Sequence, residues 1–462
     1  MGVNQKKERW SSVLYMLVTL SIPTIIEEVL ATLLQYVDTA MVGRLGEQAT
    51  ASVSVSTTVT WLVNSVPHAI GIGVLALIAK AVGSGDKNLV RRISSQAVWM
   101  VIGCSIVLGG ISLLLSPYIP IWMGAEASIQ GAAGEYFFII SLPMLFRVSS
   151  IVFGAAIRAT KDTKTPMLIS LGANIINAVL NYALIYGVDM GVRGAAIASA
   201  ISYVLSGVLM YVAYRRNEWL HWELREIRPD TAILEQCGKV AFPVLGTSIT
   251  SCLGYTVFAG LVSGMGTTIF AAHSIAVTAE EIFYIPGYGF RTATSTLVGN
   301  SLGERNRDKF RKVSIISVIV TVAMMCVNGV ILYLSANILM SFFTPSQAVV
   351  DLGADMLRLV AFSEPFFGIM IVMEGIFYGL GNTRYAFIVE TFSMWGIRIL
   401  LTFLCVKVWG LDLRAVWLCM IADNVCKAVL FAIPVMTPLR FLPDWSSWLY
   451  EASVCSCGLQ CL

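Results

Sequence analysis

The sequence predicts an all-α integral membrane protein of twelve transmembrane helices, arranged as two parallel-repeat bundles of six. Three observations lead there: a shortage of charge, a series of apolar segments of spanning length, and a self-match at a fixed offset. Of 462 residues, 57% are hydrophobic and 13% charged, about half the charge of an ordinary soluble protein. A soluble chain of this length would divide into two or three domains with wettable surfaces. This chain lacks the polar side chains to cover such surfaces, so lipid must be its main solvent. The composition also excludes a disordered chain and a secreted disulfide scaffold. With 31 basic and 28 acidic residues, the charge is too balanced for a surface that tracks nucleic acid.

Breaks at glycine, proline and charge clusters leave segments 13–42, 50–79, 94–116, 135–158, 166–187, 194–214, 236–262, 269–299, 313–342, 355–379, 385–408 and 415–436. Each can cross ~30 Å of hydrocarbon as a helix. Lys6, Lys7 and Arg9 precede the first segment as they would a signal peptide. That segment continues past Glu27 and Glu28 to Met41 without a small-residue cleavage site, so it is read as an uncleaved span. With both termini cytoplasmic, twenty-two Lys and Arg fall inside, and only Arg44, Arg193, Lys407 and Arg414 outside. This is the asymmetry of the positive-inside rule, and an even number of spans agrees with it. Seven of the ten cysteines lie singly in or beside apolar segments and read as small hydrophobes. The tail trio Cys455, Cys457 and Cys461 has neither zinc-ligand spacing nor a prenylation box, and its role stays open.

Shifted by 220 residues, the chain matches itself. Pro23 falls on Pro243, Val42 on Val262, Gly46 on Gly266, Gly83 on Gly303, Arg91 on Arg311 and Thr163 on Thr383. A fixed-period match marks a duplicated unit. Six spans per unit start both units on the same side, giving parallel repeats with a cavity expected between them. The expected organisation is an N-terminal lobe 1–214, a cytoplasmic linker 215–235, a C-terminal lobe 236–436 and a cytoplasmic tail 437–462. The GSGDK of Gly83–Lys87 lacks the spacing of a nucleotide-binding loop. Transport through such a cavity would therefore run on an ion gradient or be passive.

Intramembrane charges are expensive and must face protein or water. Span one carries Glu27, Glu28 and Asp38. Glu27 and Asp38 lie about 20° apart around a helix and ~16 Å apart along it, with Gln35 near the same side. That is the pattern of a cavity-lining helix with an ion path, and helix capping by Asp38 is the bland alternative. In span five, Asn177 and Asn181 share a face with Asn174 in reach; these amides suit a cation or carboxylate, or serve as interhelical glue. Span eight sets Glu280 and Arg291 on one face with Tyr284 a turn from Glu280, and Pro286-Gly287 between. A carboxylate beside aromatics receives an organic cation, and an intraprotein ion pair is the alternative. Span ten holds Glu364 and Glu374, and Glu390 and Asp423 are expected in part to pair with Arg398 or Lys427. The acids do not follow the repeat: Asp38 falls on Phe258 and Glu280 on Thr60. The scaffold is duplicated, but the chemistry is specialised by lobe.

Several stretches resemble the multidrug and toxic compound extrusion (MATE) family of bacterial type. They are Tyr36-Val-Asp38-Thr-Ala-Met-Val-Gly-Arg-Leu-Gly, Ala-Ala-His273, Tyr-Ile-Pro286-Gly-Tyr-Gly, Thr-Leu-Val-Gly299-Asn-Ser-Leu-Gly-Glu and the Gly-Leu-Gly-Asn-Thr-Arg ending at Arg384. The likeness covers nearly the whole chain. It implies a V-shaped pair of six-helix bundles in the cell membrane, working as a monomer in lipid without nucleotide or nucleic acid. It implies alternating-access export of amphipathic, usually cationic, small molecules in exchange for H⁺ or Na⁺. By the resemblance Asp38 is the coupling aspartate, where Na⁺ is an alternative to a proton, and Asn177 belongs to the same site. Asn181 stands where many prokaryotic relatives have an aspartate, so one carboxylate of that site is lost. Gly254 and Phe367 stand where the sodium-coupled branch has C-lobe acids, which argues against that version of the site. Glu27 joins the expected cation-coupling set, and Glu280, Tyr284, Tyr36, Gln35, Arg291 and Glu374 form the expected substrate-binding set. A lipid-linked precursor flippase of the same superfamily is the alternative, and few unpaired cavity arginines speak for it. No catalytic or cofactor constellation suggests an enzyme, and no repeated filter suggests a channel.

Overall fold

The computed structural model describes residues 8–223 and 228–436. The expected tail 437–462 with its cysteines, and Lys6, Lys7, Arg225 and Arg440 of the charge asymmetry, lie outside the described residues. Among the described residues twelve helical spans follow one another: α1 (Trp10–Gly43), α2 (Glu47–Ser84), α3 (Lys87–Leu115), α4 (Ala127–Ser141 with Met144–Ala159), α5 (Lys164–Gly187), α6 (Gly191–Arg216), α7 (Thr231–Ser263), α8 (Thr267–Gly303), α9 (Arg307–Phe343), α10 (Gln347–Leu380), α11 (Thr383–Val408) and α12 (Leu413–Met436). Ten are individually long and apolar enough to cross a membrane, and α4 qualifies as a bent pair. The 37-residue α8 is longer than most, but Glu280, Glu281 and Arg291 dilute its apolar character.

Segment 135–158 is not the single straight span expected. It starts earlier, at Ala127, and bends by 54° where Leu142 and Pro143 separate its two pieces. Proline removes a backbone donor and crowds the preceding turn, so the helix restarts after it. Pro365 similarly stands in the first turn of the helix that begins at Glu364, after a short 3₁₀ turn at Ala361–Ser363.

The duplication extends to helix ends. Asp86 caps α3 by accepting from the Leu89 amide at 3.0 Å, and Asn306, its mate 220 residues on, caps α9 through Lys309 at 3.0 Å. Gly46 and Gly266 open α2 and α8 at φ of +111° and +121°, angles that only glycine adopts freely. A π-turn closes α5 at Ala183–Gly187 and recurs in α11 at Leu404–Val408. Between the halves, Asp230 caps α7 and accepts from Arg92 of α3 at 2.5 Å, while Gln96 of α3 holds both Arg228 and Asp230 by their backbone. Partial burial works to raise the Asp230 carboxyl, but the Arg92 hydrogen bond and charge and the amides of Ala232 and Ile233 outweigh it. Its affinity for a proton falls below the usual carboxylate range.

Helices in lipid associate through close packing rather than through the hydrophobic effect. One core joins α2, α3, α4 and α6 and takes in Leu220 and Trp222 of the linker and Ile233 and Cys237 at the start of α7. A second, Phe258 to Met420, lies within α7 to α12. The third joins the halves: Val13, Leu17 and Leu20 of α1 pack with Phe290 and Leu297 of α8 and Ile371 and Phe377 of α10. The end where α1 begins carries most of the Lys and Arg and is called the basic end; the opposite is the far end. At the basic end α2 and α8 cross backbone to backbone. A Cβ on Gly83 would lie 2.1 Å from the Asn300 carbonyl oxygen, and one on Gly303 1.9 Å from that of Lys80. These glycines are repeat mates, so the crossing is itself pseudo-symmetric. The same end is strapped by Lys309, which meets Glu304 at 2.7 Å and Glu8 at 3.3 Å, and by Lys312, which donates to the Glu8 carbonyl at 2.8 Å.

Candidate functional site

Helices α1 and α5 run parallel, and a polar seam joins them. Near the far end Asp38 accepts from the Asn181 amide at 2.6 Å, and Asn181 also donates to Asn177 at 3.2 Å. With the Asn177 amide turned over, it gives up the bond from Asn181, donates to both Asp38 oxygens at 3.2 and 3.0 Å and accepts from the Ser199 backbone of α6 at 3.3 Å. The Asn181 carbonyl oxygen is buried without a partner. Three turns away Glu27 accepts from Ser170 of α5 at 2.7 Å and from Arg158 of α4 at 3.2 Å. Glu27 and Asp38 thus share a face, as the spacing requires, but they are separate sites. Glu27 is neutralised by an arginine, whereas Asp38 has only neutral amides around it and no ion pair among the described residues. A half-buried carboxylate with an unpartnered amide oxygen beside it is a receptor for a proton or a small monovalent cation.

A second group of residues gathers where α1 and α2 of one half face α8 and α10 of the other, a region called the cleft below. Glu28 and His68 sit mid-helix on α1 and α2 yet are exposed, and both lie within electrostatic reach of Arg158 and Arg291. Glu28 makes no side-chain hydrogen bond or ion pair among the described residues. Arg291 pairs with Glu374 at 2.8 Å, and Tyr378 donates to the same carboxylate. The Arg291 guanidinium also lies 4.7 Å from the Tyr288 ring centre. Tyr284, Tyr288 and Phe367 form an aromatic cluster with centroid separations of 5.1 to 6.4 Å. Tyr36 donates to the Thr278 carbonyl at 3.5 Å, and Gln35 is exposed.

Glu280 does not meet Arg291. It is buried within the C-terminal half, where Glu364 is buried too. Beyond them lies a ladder between α11 and α12. Arg398 meets Asp423 at 2.8 Å, Lys427 meets Glu390 at 2.8 Å and Asp423 at 3.3 Å, and Ser393 donates to Asp423 at 2.5 Å. Glu390 and Asp423 therefore pair with the basic residues expected. Removing one partner of a buried pair strands the other charge at a cost of about 3–5 kcal/mol. Asp423→Ala, which leaves Arg398 without its acidic partner, is expected to lower thermal stability in detergent by an amount of that order. An unchanged melting temperature would show that the ladder is not structural.

Asp38, Asn177 and Asn181 are visible in the helical spacing of the sequence, and Ser199 is not, because its contribution is a backbone amide on another helix. Spacing places Glu27 on the Asp38 face, whereas Glu28 is the carboxylate that faces the cleft. His68, Arg158, Tyr288 and Phe367 carry no helical-spacing signal of their own; they converge only when α2, α4, α8 and α10 pack.

The family model described as MatE matches residues 23–183 and again 243–404, starts that differ by the 220 residues of the self-match. A probable multidrug resistance protein NorM of Thermotoga maritima is 30% identical over 90% of this chain and 90% of its own length. The probable multidrug resistance protein YoeA of Bacillus subtilis is 23% identical over 90% and 91%. Among solved structures, a multidrug resistance MATE family transporter in an outward-facing conformation superposes with a TM-score of 0.87 at 21% identity, covering 94% of this chain and 98% of that one. A transporter of the same superfamily from Pyrococcus furiosus, described as having a binding pocket of reverse polarity, gives 0.85 at 23% identity over 94% and 98%. Both share the twelve-helix fold found here. The chain belongs to the MATE family of multidrug efflux transporters, a multi-pass membrane transporter and not an enzyme.

Proposed function

We propose that this chain is an antiporter that exports amphipathic organic cations in exchange for H⁺ or Na⁺, with Asp38 as the coupling carboxylate. The observation that carries the reading is the Asp38 cluster: a carboxylate held by Asn181 and Asn177, with an unsatisfied amide oxygen beside it and no basic partner among the described residues. Such a group gains most from binding a proton or a small cation. Glu27 has Arg158 and Ser170 already, and its part is to hold α1 against α4 and α5 near the basic end.

The substrate's charge is received by Glu28 and Glu281, exposed in the cleft, and its apolar body by Tyr36, Tyr284, Tyr288 and Phe367. Arg291 and Glu374 neutralise each other and position Tyr288 and Tyr378. The basic end is cytoplasmic by the positive-inside rule. Its closed α2–α8 crossing then corresponds to a state with the cytoplasmic path shut. Ion binding at Asp38 removes a charge from the α1–α5 seam, α1 repacks, drug leaves, and the halves rock to open the basic end. Exchange is tight only if ion and drug prefer different states by a few kcal/mol.

Glu28→Gln tests the substrate part. It is expected to raise KM for a monovalent organic cation on the order of tenfold, about 1.4 kcal/mol, with ion coupling intact. Unchanged KM in Glu28→Gln would move the charge receptor elsewhere in the cleft.

A further inference from the structure

A second recess reaches towards the Asp38 cluster from the far end, inside the N-terminal half and apart from the cleft. It has a volume of about 520 Å³ and lies between the start of α4 and the start of α6, lined by Gly131, Ala132, Glu135, Tyr136, Met190 and Arg193. Arg193 and Glu135 are ion-paired across it at 2.7 Å. Its floor is the half-buried Tyr136, packed with Met41, Val42, Ile185 and Ala195. Each of the last three stands one helical turn towards the far end from a member of the cluster. Val42 follows Asp38 on α1, Ile185 follows Asn181 on α5, and Ala195 precedes Ser199 on α6. The floor therefore lies directly on the site, with about one 5.4 Å turn of protein between them. The Tyr136 hydroxyl is a polar group in that otherwise apolar cluster, and the Tyr186 hydroxyl pins the end of α1 beside it through the Met41 carbonyl at 2.7 Å.

We propose that this recess is the entrance through which the coupling cation, a proton or sodium, reaches Asp38 from the far side, with Tyr136 as the side chain that must swing aside. The inference rests on the reading of Asp38 as the coupling site. A separate entrance has a physical consequence for exchange. An incoming cation that shared the cleft would meet the drug's own positive charge and be repelled by it. Through the recess the ion loads while the drug is still bound, and release follows loading.

Filling the recess tests this. A Cβ at Gly131 meets no atom within 4 Å, and alanine is a better helix residue than glycine, so a side chain there is accepted without strain. Gly131→Trp, with Ala132→Trp as a second variant and Ser346→Trp at the far end of the other half as control, is reconstituted as the full chain. Drug efflux under an imposed ion gradient is measured, with binding of the same fluorescent cation in detergent. The expected result is efflux at least tenfold slower in both recess variants, with unchanged drug affinity and a control like wild type. Efflux at the control rate would overturn the proposal, as would loss of drug binding in both recess variants. Asp38→Asn in parallel separates the two claims. If Asp38→Asn is inactive while the filled recess transports normally, only the entrance is wrong; if Asp38→Asn still exchanges, the coupling site itself is wrong.

Discussion

Asp38→Asn is expected to abolish gradient-driven exchange, to the rate of protein-free vesicles, while folded protein and drug binding persist. Asparagine has nearly the same shape and can still bond to Asn181 and Asn177, so the α1–α5 seam survives. What it cannot do is change charge. In wild type the ion and the drug compete through the state they favour, and drug affinity depends on ion concentration. In Asp38→Asn that dependence should vanish, with one affinity across pH and sodium. A variant that keeps the dependence would place the coupling charge elsewhere. Glu280 and Glu364 would then be the first groups to test, because among the described residues they are the buried carboxylates without an ion pair.

The second large effect is expected at the basic end. Gly303→Ala inserts a methyl group 1.9 Å from the Lys80 carbonyl oxygen and 2.7 Å from the Ser84 amide nitrogen. Those are backbone atoms, and they cannot rotate away. Overpacking of this kind costs about 1–3 kcal/mol, applied only to the state in which α2 and α8 touch. The variant should shift towards the state in which they are apart, with a lower melting temperature and slow transport. Buried Cys237 of α7, whose thiol lies at Gly73 of α2 in the neighbouring inter-half contact, should become faster to alkylate. Gly83→Ala, the repeat mate, should behave alike because its Cβ would lie 2.1 Å from the Asn300 oxygen. Wild-type transport and thiol protection in both variants would contradict the assignment of this crossing as the closed gate.

Much of the fold was legible because hydrocarbon thickness and duplication constrain it strongly. The 220-residue offset, read from a few matched residues, recurs in the caps Asp86 and Asn306, in the glycines that open α2 and α8, and in the crossing pair Gly83 and Gly303. The bend in α4 was harder, since Pro143 is visible in the sequence but the place where the helix resumes depends on packing. The site was legible where one helix supplies the pattern, as at Asp38 or at Asn177 and Asn181. It was illegible where a partner comes from elsewhere. Glu280 and Arg291 lie eleven residues apart on one helix, yet Arg291 turns to Glu374. Gly375 explains this: its missing side chain lets α10 close on α8, where a Cβ would lie 2.6 Å from the Arg291 carbonyl oxygen. Glu27 and Glu28 differ by one position, or about 100° of helix rotation. Only the position of Arg158 decides which of them is neutralised.

The central claim is ion-for-drug exchange through Asp38. Its most direct test is efflux of a fluorescent organic cation from proteoliposomes, with a proton gradient and a sodium gradient imposed separately and Asp38→Asn alongside. A gradient of the coupling ion is expected to drive wild-type efflux, and neither gradient is expected to drive it in Asp38→Asn. Gradient-driven efflux by Asp38→Asn at the wild-type rate, or none in folded wild type under either gradient, would contradict it.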